Sequence, residues 1–132
     1  MIVILLNFIL HSSFSLPVVV EKKRNLLFGT IVAGDPSHIV APDNITKSSA
    51  KFRITGDPKT LVNVMLPVSC TITKGGNGNW PINVTNFTAN NLNPKLNKKG
   101  KFILYVGATL DSIPLSQKSG NYKGSFLVDV IY

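Results

Sequence analysis

A single cysteine, Cys70, stands among 132 residues, which excludes an intrachain disulfide. Histidine is nearly as scarce, with only His11 and His38, and His38 reads as a turn or surface residue. The acids Glu21, Asp35, Asp43, Asp57, Asp111 and Asp129 are the whole set, and they are scattered. Three of them sit in Asp35-Pro36, Asp43-Asn44 and Asp57-Pro58, where a carboxylate caps its own backbone. Metal sites draw on clustered Cys, His or carboxylates, and general acid–base chemistry draws on paired groups. Neither pattern is present. The glycines at 75–78 do not lead from a strand into a helix, so they are not a phosphate cradle. Cys70 shares a strand phase with Val68 and Ile72, which predicts a small buried side chain rather than a nucleophile. The sequence therefore reads as a non-enzymatic protein without a cofactor.

Helical patterning is also missing. Eight prolines and ten glycines punctuate the chain, and no segment of helical length carries an apolar stripe free of them. Short runs of period-2 patterning take its place. Asn25 to Ala33 is apolar on both faces and predicts a central strand, ended by Gly34-Asp35-Pro36. Ser37 to Ala41 predicts a short strand. Ala50, Phe52 and Ile54 point inward while Lys51, Arg53 and Thr55 point out. Leu61 to Leu66 and Ser69 to Lys74 are separated by Pro67, and Gly75 to Asn79 is a hairpin tip. Ile82, Val84 and Phe87 mark a strand whose phase slips near Thr85-Asn86, as at a bulge. Leu92 and Leu96 are expected to tack a polar connection to the core. Lys101 to Ala108 is a second doubly apolar strand, and Leu110 to Gln117 leads into the partner of a final hairpin. The fold class is all-β, an antiparallel β-sandwich.

Charge of one sign is lopsided: fourteen Lys and Arg against six acids give a formal +8. Such an excess favours polyanions. The basic residues are mostly isolated, clustering only at Lys22-Lys23-Arg24 and at Lys98-Lys99-Gly100-Lys101. Lys98, Lys99 and Lys101 are the candidate contacts for an anionic glycan or membrane surface, joined by Trp80 if that aromatic is exposed rather than closing one end of the core. Without RNP-like aromatics or zinc-finger spacing, nucleic acid is not an expected partner.

Met1 to Leu10 is almost wholly apolar, too short for a stable membrane span but suited to the h-region of a secretory signal. Ser13 and Ser15 supply small residues before a cut near Leu16, so residues 1–15 are expected to be a leader and 16–132 one domain.

The chain's clearest strand is its last stretch, Gly120 to Tyr132. Tyr122, Phe126, Val128, Val130 and Tyr132 share one phase, with Lys123, Ser125 and Asp129 on the other. The sequence stops inside this strand, so its neighbour is expected from earlier in the chain or from another molecule. Those five residues are the candidate assembly edge.

Five blocks also carry a family likeness: L-L-F-G-T-I at 26–31, A-K-F-R-I-T-G at 50–56, L-P at 66–67, V-G-A-T-L at 106–110 and Q-K-S-G-N-Y-K-G-S-F-L-V-D-V-I-Y at 117–132. They resemble a family of secreted bacterial domains of unknown function with an L-x-F-G opening and a G-x-Y-x-G-x-F-x-V-x-V-x-Y end. That family in turn resembles spore-coat-U-type and archaic chaperone–usher pilin subunits. The resemblance covers residues 17–132. It implies an immunoglobulin-like sandwich lacking one strand, exported to the periplasm or cell surface and able to polymerise there. Its implied partners are pilus subunits, including copies of itself, and a periplasmic chaperone that fills the groove beside the last strand. Ahead of the basic triplet only Leu16, Val18 and Val20 offer a donor pattern. A donating subunit, a tip or terminator subunit, a self-complemented domain and a solitary surface protein all stay open.

Overall fold

The computed structural model describes residues 5–6 and 17–132. Apart from Leu5–Leu6, the expected leader lies outside the described residues. Ten strands follow in order: β1 (Leu5–Leu6), β2 (Val19–Arg24), β3 (His38–Val40), β4 (Ala50–Thr55), β5 (Asn63–Met65), β6 (Ser69–Lys74), β7 (Ile82–Ala89), β8 (Lys101–Leu110), β9 (Tyr122–Lys123) and β10 (Leu127–Ile131). They form two sheets, β2-β4-β8-β7-β6-β9 and β1-β10-β5. β4 pairs with the first half of β8, and β3 with its last three residues. The order β2-β4-β8-β7 against β5-β10-β1 is that of the A-B-E-D and C-F-G strands of an immunoglobulin-like sandwich, with β6 and β9 extending the large sheet and β1 parallel rather than antiparallel to β10.

The core is the set of inward phases. Ala50, Phe52 and Ile54 are wholly buried on β4, with Val106 and Leu104 of β8 beside Ala50 and Phe52, and Ala108 beside Val40 of β3. Phe126, Val128 and Val130 close the core from the small sheet. β7 slips register between Thr85 and Thr88, with Asn86 in the left-handed region at φ 52°, which is the bulge that the phase slip announced. Leu96 is buried, and its segment runs along the outer edge of β5: Val62 N–H donates to the Pro94 carbonyl at 3.0 Å and Val64 N–H to the Leu92 carbonyl at 2.8 Å. Leu92 itself is exposed, so only one of the two leucines tacks this connection to the core.

Four expectations are corrected. Residues 25–33 form no strand: left-handed Gly29 (φ 78°) and Gly34 (φ 91°) break the extended path. The segment keeps alternating burial, Leu26 and Phe28 in and Leu27 out, and lies at the margin of the sandwich rather than between its layers. Val68 precedes β6 and is 90% exposed, while Cys70 is half-buried. The terminal stretch is two strands rather than one, with β9 paired to β6 and β10 to β5. The chain changes sheet across Gly124, where a Cβ would collide with the Thr71 carbonyl oxygen. Residues 111–121 consequently form a loop and not a hairpin partner.

Phe52→Ala is expected to cost about 3–5 kcal/mol, as for other fully buried aromatics. Gly124→Ala is expected to cost about 1–3 kcal/mol by overpacking. Urea unfolding midpoints at constant slope check both.

Candidate functional site

The site is built around the last strand. Phe126 packs against Phe87 with ring centroids 4.7 Å apart, which pins the start of β10 to the opposite sheet. From there alternation turns Val128 and Val130 inward and leaves Leu127 and Ile131 on the outer face. Asp129 lies opposite Met65, which is also exposed, so the outer face of the small sheet is more apolar than the terminal pattern of Lys123, Ser125 and Asp129 suggested. On its other side, β10 pairs with β1 in parallel, Leu5 beside Leu127 and Leu6 beside Val128. The neighbour of the last strand thus comes from earlier in the chain. It covers two positions.

A cavity of about 700 Å³ opens over the large sheet, and no residue of β5 or β10 lines it. Its walls are the strandless segment 27–33 and the loop 117–122, and its floor is Ile72, Ile82, Leu110 and Ile113. The wall segment is held at its two ends. Leu27 N–H donates to the Ser48 carbonyl at 2.9 Å, and Gly34 N–H to the Ile113 carbonyl at 2.8 Å. Val32 N–H is taken up by the Asp35 carboxylate at 2.9 Å. Between them, the N–H groups of residues 28–31 have no hydrogen-bond partner among the described residues. An apolar floor beside unpaired backbone is the chemistry that accepts an added strand.

The five residues read as one edge are divided by the change of sheet. Tyr122 belongs to β9 and lines the cavity, Phe126, Val128 and Val130 are core, and Tyr132 is half-buried. Lys98, Lys99 and Lys101 are exposed around the Asn97–Gly100 turn. Pairing brings Lys59 and Lys95 to the same end: Lys59 N–H donates to the Leu96 carbonyl at 3.0 Å, and Leu61 bridges Lys95. Trp80 does not join them. It leads into β7, whose Val84 pairs with Leu110 at the far end of β8, on the order of 30 Å from Lys101 for a ten-residue strand. The other basic cluster is structural. Arg24 donates to the Ser49 carbonyl at 2.9 Å and stacks over Tyr105, while Lys23 and Arg53 both bond Glu21 at 2.7 Å. Those two cations hold the Glu21 carboxyl below its usual range, Lys23 foremost.

Among the described residues, no three His, Cys, Asp or Glu side chains gather as metal ligands. Burial pushes the Cys70 thiol up to about 11. Its thiolate fraction at pH 8 is then roughly a hundredfold below that of an ordinary thiol. Iodoacetamide labelling followed by mass spectrometry is expected to be slowed about a hundredfold in the folded protein and to recover in urea.

No curated protein and no solved structure gives a significant match to the chain. A family model does, over residues 18–132, from β2 and the groove wall to the last strand. The chain belongs to the family described as Domain of unknown function (DUF4402).

Proposed function

We propose that this protein is an exported, non-enzymatic structural module of a bacterial cell surface that assembles in pilin-like fashion by accepting a β-strand beside β10. One observation carries the reading: the seventh-strand position of the sandwich is taken by Leu5–Leu6, which belong to the expected leader. Removing residues 1–15 on export vacates that position and bares the edge of Leu127 and Val128. A separate cavity over the large sheet, with an apolar floor and N–H groups at 28–31 that have no partner among the described residues, offers a second apolar surface. A strand from a neighbouring subunit gains main-chain hydrogen bonds on one side and apolar contacts below. A periplasmic chaperone would shield the same surface before assembly. Lys59, Lys95, Lys98, Lys99 and Lys101, five of the fourteen basic residues, form an exposed basic end of the sandwich.

The full chain and a chain beginning at Leu16 are to be compared by size-exclusion with light scattering and by thermal melting. The full chain is expected to be monomeric, and the shortened chain to oligomerise or melt at least 10 °C lower. A peptide copying residues 1–12, added in trans, is expected to restore the melting point. A shortened chain that stays monomeric, melts like the full chain and ignores the peptide rejects strand acceptance.

A further inference from the structure

The hairpin joining β6 and β7 carries a second, polar cavity of about 380 Å³, within the range of small-ligand clefts. Lys74, Asn77, Asn79, Trp80, Lys118 and Asn121 line it. Trp80 is the only tryptophan of the chain, is 44% exposed, and sits in the left-handed region at φ 55°. For a bulky side chain that backbone is an outlier, and it persists only where surrounding contacts over-determine it.

Those contacts are identifiable. Lys74 N–H donates to the Asn79 carbonyl at 2.9 Å, and Gln117 Nε2 donates to the Trp80 carbonyl at 2.8 Å. Gln117 Nε2 also donates to Tyr122 Oη at 3.0 Å, and that hydroxyl donates to the Lys118 carbonyl at 2.6 Å. Gly75 N–H donates to the Asn121 carbonyl at 2.7 Å, closing the two loops on each other. Gly120 leaves room for Lys74: a Cβ there would stand 2.6 Å from the lysine Cε, so the stem lies across the 117–122 loop. An indole is thus presented beside three primary amides and two ammonium groups, with no carboxylate in the lining.

We infer that this cleft binds an acidic saccharide bearing carboxylate groups. The indole face takes the apolar C–H face of a sugar ring, which is amphipathic in the same sense as the residue covering it. The amides of Asn77, Asn79 and Asn121 suit hydroxyls, each bringing two donors, although Asn77 Oδ1 already accepts the Asn79 N–H at 3.2 Å. Lys74 and Lys118 supply charge for a carboxylate, which a neutral sugar leaves unused. Lys118 and Asn121 line both cavities, whereas Trp80, Lys74, Asn77 and Asn79 line only this one, so variants at those four test this site without touching the other cavity.

Because Trp80 is the sole tryptophan, intrinsic fluorescence of the full chain reads the site directly. Titration with trigalacturonate at low salt is expected to give a saturable emission change. Maltotriose is expected to bind at least tenfold more weakly. K74A/K118A is expected to weaken trigalacturonate binding at least tenfold, and K98A/K99A/K101A to leave it unchanged. Trp80→Ala, followed by NMR shifts of the Asn77 and Asn79 amides, is expected to abolish binding, while Trp80→Phe keeps part of it and controls for folding. Equal binding of maltotriose, indifference to K74A/K118A, loss on K98A/K99A/K101A, or no emission change with trigalacturonate each overturns the proposal.

Discussion

Everything in this sandwich turns on the two sides of β10. One side is pinned by β5, whose far edge is sealed by the 92–96 connection through the Pro94 and Leu92 carbonyls. The other side is met, among the described residues, by Leu5 and Leu6, in parallel. A backbone edge in contact with an apolar core is costly to leave open, because each buried unpaired amide forfeits its bond to water.

This geometry explains a sequence that is apolar in places where a closed sandwich would be polar. Leu127, Ile131 and Met65 sit on the outer face of the small sheet, and Leu27 and Val32 line the cavity. The excess of basic residues divides into Arg24 and Arg53, which knit β2 and β4 to their surroundings, and lysines spread over the two ends. The 117–122 loop is shared by the two cavities and is tied to the β6–β7 hairpin through Gln117 and Asn121. Binding on one side of that loop and strand addition on the other would therefore act on one hydrogen-bonded unit.

Much of this was readable from residue order alone. The scarcity of Cys and His, the turn-bound acids, the alternation of Ala50, Phe52 and Ile54 and the slip at Thr85-Asn86 are local properties, and local properties dictate strand faces and bulges. So does the inward phase of Phe126, Val128 and Val130. The apolar density of 25–33 misled because hydrophobicity reports burial and not pairing: Leu26 and Phe28 are buried without any strand beside them. The unity of Gly120 to Tyr132 misled because period-2 patterning survives a change of sheet when the joint at Gly124 keeps the phase.

By itself, then, the sequence determined an all-β chain, its inward faces and its turn positions, since each follows from neighbours along the backbone. Only the tertiary structure decided which strand lies beside which. It set β1 against β10, separated Trp80 from Lys98, Lys99 and Lys101 by the length of β8, and gathered Lys74, Lys118 and Asn121 around that tryptophan. Such pairings join residues tens of positions apart, and long-range register depends on how two complete faces fit, which no local pattern encodes.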